Sequence, residues 1–319
     1  MVGSSVARHE HDMTRRFGAV VAAAAVALAG AAAAQTCGTA PTPPAAWSHV
    51  VWIFMENHSY DQVIGTENAP FVDRLARECG LATNFRNVDH PSLPNYMAAT
   101  SGLPHGALGR FESDCNAVKG CRSRARSIFE VAPSWGAYEE GMPRACYPVF
   151  TGPYAASHNP AAHYTHLVDG RGTCAAHDVP YRQLQQDLDA GTLPAFAFVT
   201  PDMCHSMHDC SVGVGDAWLA GAVSRLTASA AYRSGGTAIF VTWDEGEGGD
   251  GGESCARSTG DSSCHVATLV VSPSTRPGTR AGQLYSHYSL LRTTEEMLGV
   301  GPLLGRARAA KSMRKPFNL

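Results

Sequence analysis

Positive charge is scarce in this sequence. Its 25 Lys and Arg stand against 28 Asp and Glu, a net charge of -3 over 319 residues, so no basic surface argues for a nucleic-acid partner. No internal repeat is present, which sets aside solenoid and propeller arrays. No G-x-S-x-G elbow occurs, which argues against a serine acyl hydrolase. The acidic run Glu247 to Glu253, EGGDGGE, lacks EF-hand spacing and reads as a flexible loop. No amphipathic segment supplies an evident face for lipid. What remains, 44% hydrophobic and 17% charged residues, is an ordinary globular composition, enough for one large domain or two smaller ones.

One long apolar run is present, and it comes first. Arg15-Arg16 precede Phe17 to Ala34, almost entirely Ala, Val, Leu and Gly, with Ala32, Ala33 and Ala34 before Gln35. That order reads as a signal peptide over 1–34, cut near Ala34. A stable membrane anchor is the weaker reading, because the run is short for a span and Ala-rich. The expected location is therefore secreted or periplasmic. All ten cysteines lie beyond the cut, and an even count in an exported chain reads as disulfides. Cys115/Cys121, Cys204/Cys210 and Cys255/Cys264 are close enough to close small loops. Zinc binding by Cys204, His205, His208 and Cys210 is the alternative for the second pair.

A Pro-rich lead, 35–46, runs into Val50 to Met55, VVWIFM. This run is too short for an ordinary helix, and its β-branched and aromatic content suits a strand buried on both faces. Pro194 to Val199, Thr237 to Thr242 and His265 to Ser272 are similar. Helical spacing is expected at 70–76, 96–100, 127–132, 179–188, 215–231 and 285–299, and at Tyr138-Glu139. The basic tail, 304–319, is expected at the surface. Strands alternating with helices predict an α/β fold, a mainly parallel sheet with helices on both faces.

Polar clusters follow the strands, at the edge where open α/β sheets bind ligands. Glu56-Asn57 follow the first strand and Asp244-Glu245 the third. Adjacent carboxylates repel unless a cation lies between them, and all four residues offer hard oxygen donors for a divalent metal. Ser92, between Pro91 and Pro94, stands just before a helix. There it either faces an anion held by the helix amides or merely caps the helix. His208-Asp209 and Ser157-His158-Asn159-Pro160 add histidines, each usually no more than a surface residue.

The pieces MENHSYDQVIG, HPSLPNYMAATSG, HNP, PDMCHSMHDC with GDAWL, VTWDEGEGG and SHYSLLRTTEEMLG span about residues 50–300. Together they resemble the phosphoesterase family of bacterial phospholipases C and acid phosphatases, which has an alkaline-phosphatase-like fold. The resemblance implies a single phosphoesterase domain over 47–319 and one divalent metal held by Glu56, Asn57, Ser92, Asp244 and Glu245. It makes Ser92 the nucleophile, with Asn95, His158 and His208 on the phosphate and the two histidines also catalytic. His205 stands where many relatives have Asn, so its role is open. The expected activity is an acid-phosphatase-like phosphomonoesterase acting through a phosphoserine. A phospholipase C or other phosphodiesterase is the alternative, and a non-catalytic calcium-binding exported protein the alternative of another class. The implied partner is a phosphate ester, with no stable membrane anchor.

Overall fold

The VVWIFM run is the centre of the sheet. Strand β1 (His49–Met55) is buried from Val50 to Met55. It pairs in parallel with β5 (Phe196–Thr200) on one side and β6 (Thr237–Trp243) on the other. Burial on both faces is why Val50 to Met55 are all apolar. The full sheet adds β2 (Gly80–Arg86), β3 (Trp135–Glu139), β4 (Asp178–Pro180), β7 (His265–Val271), β8 (Thr279–Ala281) and β9 (Tyr285–Ser286). Its order is β4-β3-β5-β1-β6-β7-β2-β8, with β9 also paired to β2. The computed structural model describes residues 1–4, 35–169, 172–249, 254–258 and 260–319.

All pairs are parallel except β6–β7 and β7–β2. Strand β7 therefore runs against the rest, and the sheet is otherwise parallel, mainly parallel as expected. The C-terminal ends of β1, β2, β3, β5 and β6 share one edge, with the start of β7 beside them.

Trp52 and Phe54 of β1 face two helices, α2 (Ser92–Ser101) and α5 (His287–Met297). Trp52 Nε1 donates to Thr294 Oγ1 at 2.9 Å, and the Phe54 ring lies 5.3 Å from that of Tyr96. Helix α1 (Pro70–Glu78) buries Phe71, Val72, Leu75 and Ala76, at the spacing of one helical face. Its first amides, Phe71 and Val72, donate to the Asp216 carboxylate of α4 (Val212–Ala228) at 3.0 and 2.9 Å. Charge on these otherwise unpaired amides stabilises the helix start. Helix α3 (Arg182–Ala190) ends at Gly191.

Three local expectations are corrected. Tyr138-Glu139 are strand, not helix, because β3 pairs on both sides, with β4 and β5, and pairing outweighs local propensity. Helix α2 begins at Ser92 itself. The basic tail is only half a surface segment: Ala307, Met313, Phe317 and Leu319 are buried, and Thr275 Oγ1 donates to Phe317 O at 2.9 Å.

All ten cysteines are paired. The three short loops close as expected, and Cys37–Cys79 and Cys146–Cys174 complete the set. The zinc alternative for Cys204 and Cys210 gives way to their disulfide. The expected signal peptide falls mostly on residues outside those described. Among the described residues no helix is long and apolar enough to cross a membrane.

Candidate active site

Ser92 is the first residue of α2, directly after Pro91. Pro94, two positions on, fits because the first turn of a helix has no intrahelical use for its N–H. The helix is buried along its whole length. It ends at Gly102, whose φ of 69° is left-handed and whose added Cβ would lie 2.7 Å from Leu304 O, so only glycine fits there.

The Ser92 hydroxyl is a hub. Its Oγ donates to Glu56 Oε2 at 3.0 Å and lies 3.5 Å from Glu245 Oε1. Glu56, Asp244 and Glu245 stand at the ends of β1 and β6, and all three are buried. Burial raises the three carboxyls, Asp244 to about 7 and Glu56 and Glu245 well above their usual range; the Asp244 charge adds to the rise in the other two. Among the described residues no Lys or Arg forms an ion pair with any of them. Asp244 Oδ1 accepts from Asn57 N at 3.1 Å, but Asp244 Oδ2 is buried with no hydrogen-bond partner.

An orphaned carboxylate oxygen beside two further buried carboxylates is costly unless a cation satisfies it. Asn57, φ 51°, adds an amide at the rim, a conformation that Asn tolerates better than most residues. This donor set, all oxygen, suits a hard divalent metal. Gly246 follows directly. A Cβ there would meet Ser263 O at 2.6 Å, so glycine lets the chain turn tightly behind Glu245.

Asn95 is one turn beyond Ser92, but its amide is already engaged. Oδ1 accepts from Val88 N and Asp89 N at 2.8 and 3.0 Å. Nδ2 donates to Asp89 O at 2.7 Å and reaches Pro91 O and Glu245 Oε2, each at 3.2 Å. It ties the turn before Ser92 to the carboxylate cluster. Of the amides at the start of this helix, that of Leu93 donates to Asp114 Oδ1 at 2.8 Å.

His158 is buried, with Nδ1 3.3 Å from Glu56 Oε1. Burial, and the neighbouring His208, depress its pKa to about 3, so it is neutral near pH 7. His208 is one-third exposed, donates from Nδ1 to Asp209 Oδ1 at 2.7 Å and lies 6.0 Å from His158 ring to ring. His205 faces elsewhere: its Nδ1 bonds Glu140 Oε2 at 2.9 Å. Glu140, Asp202 and His205 bring ligand-type atoms within 4.8 Å of one another, but their oxygens are already accepting from Trp218 Nε1 and from the Asp202, Cys204 and His205 amides. This network shapes the loop whose Ser206 carbonyl accepts from Glu56 N at 3.0 Å.

Sequence reasoning misses three participants. Tyr96 donates its hydroxyl to Glu56 Oε1 and stacks on His158, centroids 5.5 Å apart. It is four residues from Ser92 and so on the same helix face, a spacing that could have served as a signal. His90 Nδ1 lies 2.9 Å from Glu245 Oε2. His287 Nε2 lies 2.6 Å from Asp244 O. Both histidines sit inside the quoted motifs, but nothing local marks them as neighbours of carboxylates.

The model of the phosphoesterase family matches residues 66–301. A phosphatidylinositol-3-phosphatase of Mycobacterium tuberculosis is 28% identical over 293 residues, covering 91% of this chain and 89% of that protein. An acid phosphatase of Aspergillus fumigatus is 28% identical over 276 residues, covering 82% of this chain. The chain spans only 57% of that fungal protein's length. Among solved structures, the phosphonate monoester hydrolase of Agrobacterium radiobacter superposes with a TM-score of 0.53 at 14% identity, over 85% of this chain and 77% of that one. An alkaline phosphatase superfamily protein from Vibrio parahaemolyticus matches with a TM-score of 0.53 at 13% identity, over 88% and 74%.

Proposed function

The chain belongs to the phosphoesterase family and is a phosphoric ester hydrolase; from that premise we propose that it is an exported, metal-dependent phosphomonoesterase that acts through a phosphoserine on Ser92. The observation that carries this reading is the Ser92 hydroxyl set among three buried carboxylates, with Asp244 Oδ2 lacking any protein partner. Family membership sets aside the non-catalytic calcium-binding alternative. The relatives' names, a phosphatidylinositol phosphatase and acid phosphatases, favour monoesters over diesters.

Glu56, Asn57, Ser92, Asp244 and Glu245 would hold the metal. A bound divalent cation supplies positive charge that favours serine alkoxide and offsets charge on the phosphoryl oxygens. Ser92 Oγ forms a bond to phosphorus while its proton leaves toward Glu56 Oε2, its hydrogen-bond acceptor. The bond between phosphorus and the leaving oxygen breaks, and His208, the more exposed histidine, gives that oxygen a proton. Water then attacks the phosphoserine and gives its proton to His208; the bond between phosphorus and Ser92 Oγ breaks, Glu56 returns its proton to Ser92 Oγ, and phosphate is freed. His158, neutral by burial, orients on Glu56 and Tyr96 and donates a hydrogen bond rather than a charge. Asn95 holds the Ser92 turn, and its Nδ2 meets a phosphate oxygen only in exchange for Glu245.

Purified protein should hydrolyse alkyl and aryl phosphate monoesters faster than simple phosphodiesters or phosphatidylcholine. A preference for either of the latter would overturn the monoesterase reading and leave the phosphoric ester hydrolase standing.

A further inference from the structure

A cavity of about 440 Å³ opens beside the start of α5, and none of the Ser92-centre carboxylates lines it. Its walls carry three cationic side chains: Arg257 from the short turn after Cys255, and Arg306 and Lys311 from the C-terminal segment. Among the described residues, no carboxylate lines the cavity, and none of the three cations has an ion pair or a side-chain hydrogen bond. Neighbouring arginines behave differently. Arg292 pairs with Glu296 at 2.7 Å, and Arg308 donates to Leu303 O at 2.7 Å. In a chain of net charge -3, three cations and, among the described residues, no carboxylate around one concavity make a local excess of positive charge. They repel one another and focus a positive field into the space between them.

The floor is built to receive a polar ligand. Ser286, the N-cap of α5, and Ser289, in its first turn, line it with hydroxyls that accept from each other's backbone amides and keep their own protons to donate, and buried Tyr288 supplies an aromatic wall. The volume lies within the range of small-molecule sites. We propose that this cavity is a second anion-binding site, taking a compact molecule with two or more phosphate- or sulfate-type groups. One such group would leave much of the positive charge uncompensated; charge-assisted bonds to several satisfy the cluster.

The cavity adjoins the Ser92 centre without being part of it. Ser286 lines it while the next residue, His287, holds Asp244 O on the other side. His105 lines it too, and its Nδ1 lies 2.7 Å from Asp89 Oδ2, in the turn that leads to Ser92. The anionic groups thus belong either to a multiply charged substrate that reaches across this wall or to a separate free anion.

The probe is myo-inositol hexasulfate, titrated calorimetrically into the purified protein at low ionic strength. One equivalent should bind. The variant R257Q/R306Q/K311Q should bind roughly tenfold or more weakly, while R77Q/R182Q/R276Q, which removes three exposed arginines elsewhere, should change affinity by less than about twofold. Thermal unfolding of both variants checks that each is folded. No binding to the wild type, or equal weakening in the two triple variants, overturns the site. Once binding is established, turnover of an aryl phosphate separates the sources. Competitive inhibition by the hexasulfate that disappears in the pocket variant joins the cavity to the substrate site. Binding without inhibition assigns it to a free anion.

Discussion

Two clusters of buried acids stand at neighbouring strand ends and solve the same electrostatic problem differently. In the first, Glu56, Asp244 and Glu245 surround the Ser92 hydroxyl. In the second, Glu139 ends β3 and Asp178 begins β4, with both side chains fully buried. Burial, with Asp178 the next cause, raises Glu139 well above the usual carboxyl range, and burial lifts Asp178 to about 7. Asp178 has an amide of its own: Asn159 Nδ2 donates to both its oxygens at 3.0 and 2.9 Å. A proton on the Glu139 side removes the remaining repulsion. Each cluster leaves one carboxylate oxygen without a hydrogen bond, Glu139 Oε1 and Asp244 Oδ2, but the Ser92 cluster has three acids, the Ser92 hydroxyl among them and a rim residue, Asn57, that is only half buried. The contrast teaches that carboxylate burial alone does not identify a metal site. What distinguishes one is a third acid beside the unspent oxygen, a reactive hydroxyl among the carboxylates and a rim within reach of solvent.

That contrast can be broken at its strongest point with Ser92→Ala. It should lower kcat/KM by about a thousandfold or more, with the unfolding temperature nearly unchanged; near-normal turnover by a folded variant removes Ser92 as nucleophile. The next largest effect concerns metal content. Glu56→Gln and Asp244→Asn should each lose most of the bound metal and roughly a hundredfold in activity, whereas Asp178→Asn should keep its metal. Equal metal loss in all three would erase the distinction between the clusters. A smaller effect is expected for His208→Asn. It should slow alkyl phosphates by roughly ten- to a hundredfold and aryl phosphates less, because a phenolate leaves with little help. Equal loss on both substrates would reduce His208 to phosphate binding.

The smallest effect is on stability and pH. An unfolded carboxyl titrates near 4, while Asp178 and Asp244 titrate at about 7 in the folded chain. Between these values the unfolded state has lost a proton that the folded state keeps. Their contribution to stability is therefore fully present below about pH 4 and declines as pH rises to about 7. Metal-free protein should show a falling unfolding temperature across that window. Added metal should flatten the part due to the Ser92 cluster, and Asp178→Asn the part due to the other pair. An unfolding temperature that rises through the window in metal-free protein would contradict both assignments.

Much of this molecule is legible in local chemistry alone. Four apolar runs mark β1, β5, β6 and β7, and polar residues directly after two of them mark Glu56-Asn57 and Asp244-Glu245. Cysteine pairs six or nine residues apart close as their spacing suggests. These signals survive in sequence because each depends on residues within one short segment. Strand β2 is hidden, since Thr83 and Asn84 interrupt its apolar pattern, and part of β3 reads locally as helix. The tertiary structure alone brings Tyr96 to Glu56, His90 to Glu245, Asp114 to the Leu93 amide and Cys37 to Cys79. It also turns the Asn95 amide toward its own turn and gathers Arg257, Arg306 and Lys311 around one cavity. Tyr96 and Glu56 are 40 residues apart in the chain, and Asn95 and Glu245 are 150 apart. Distances between such segments follow from sheet order and from the directions of neighbouring strands, which periodicity and local propensity do not encode.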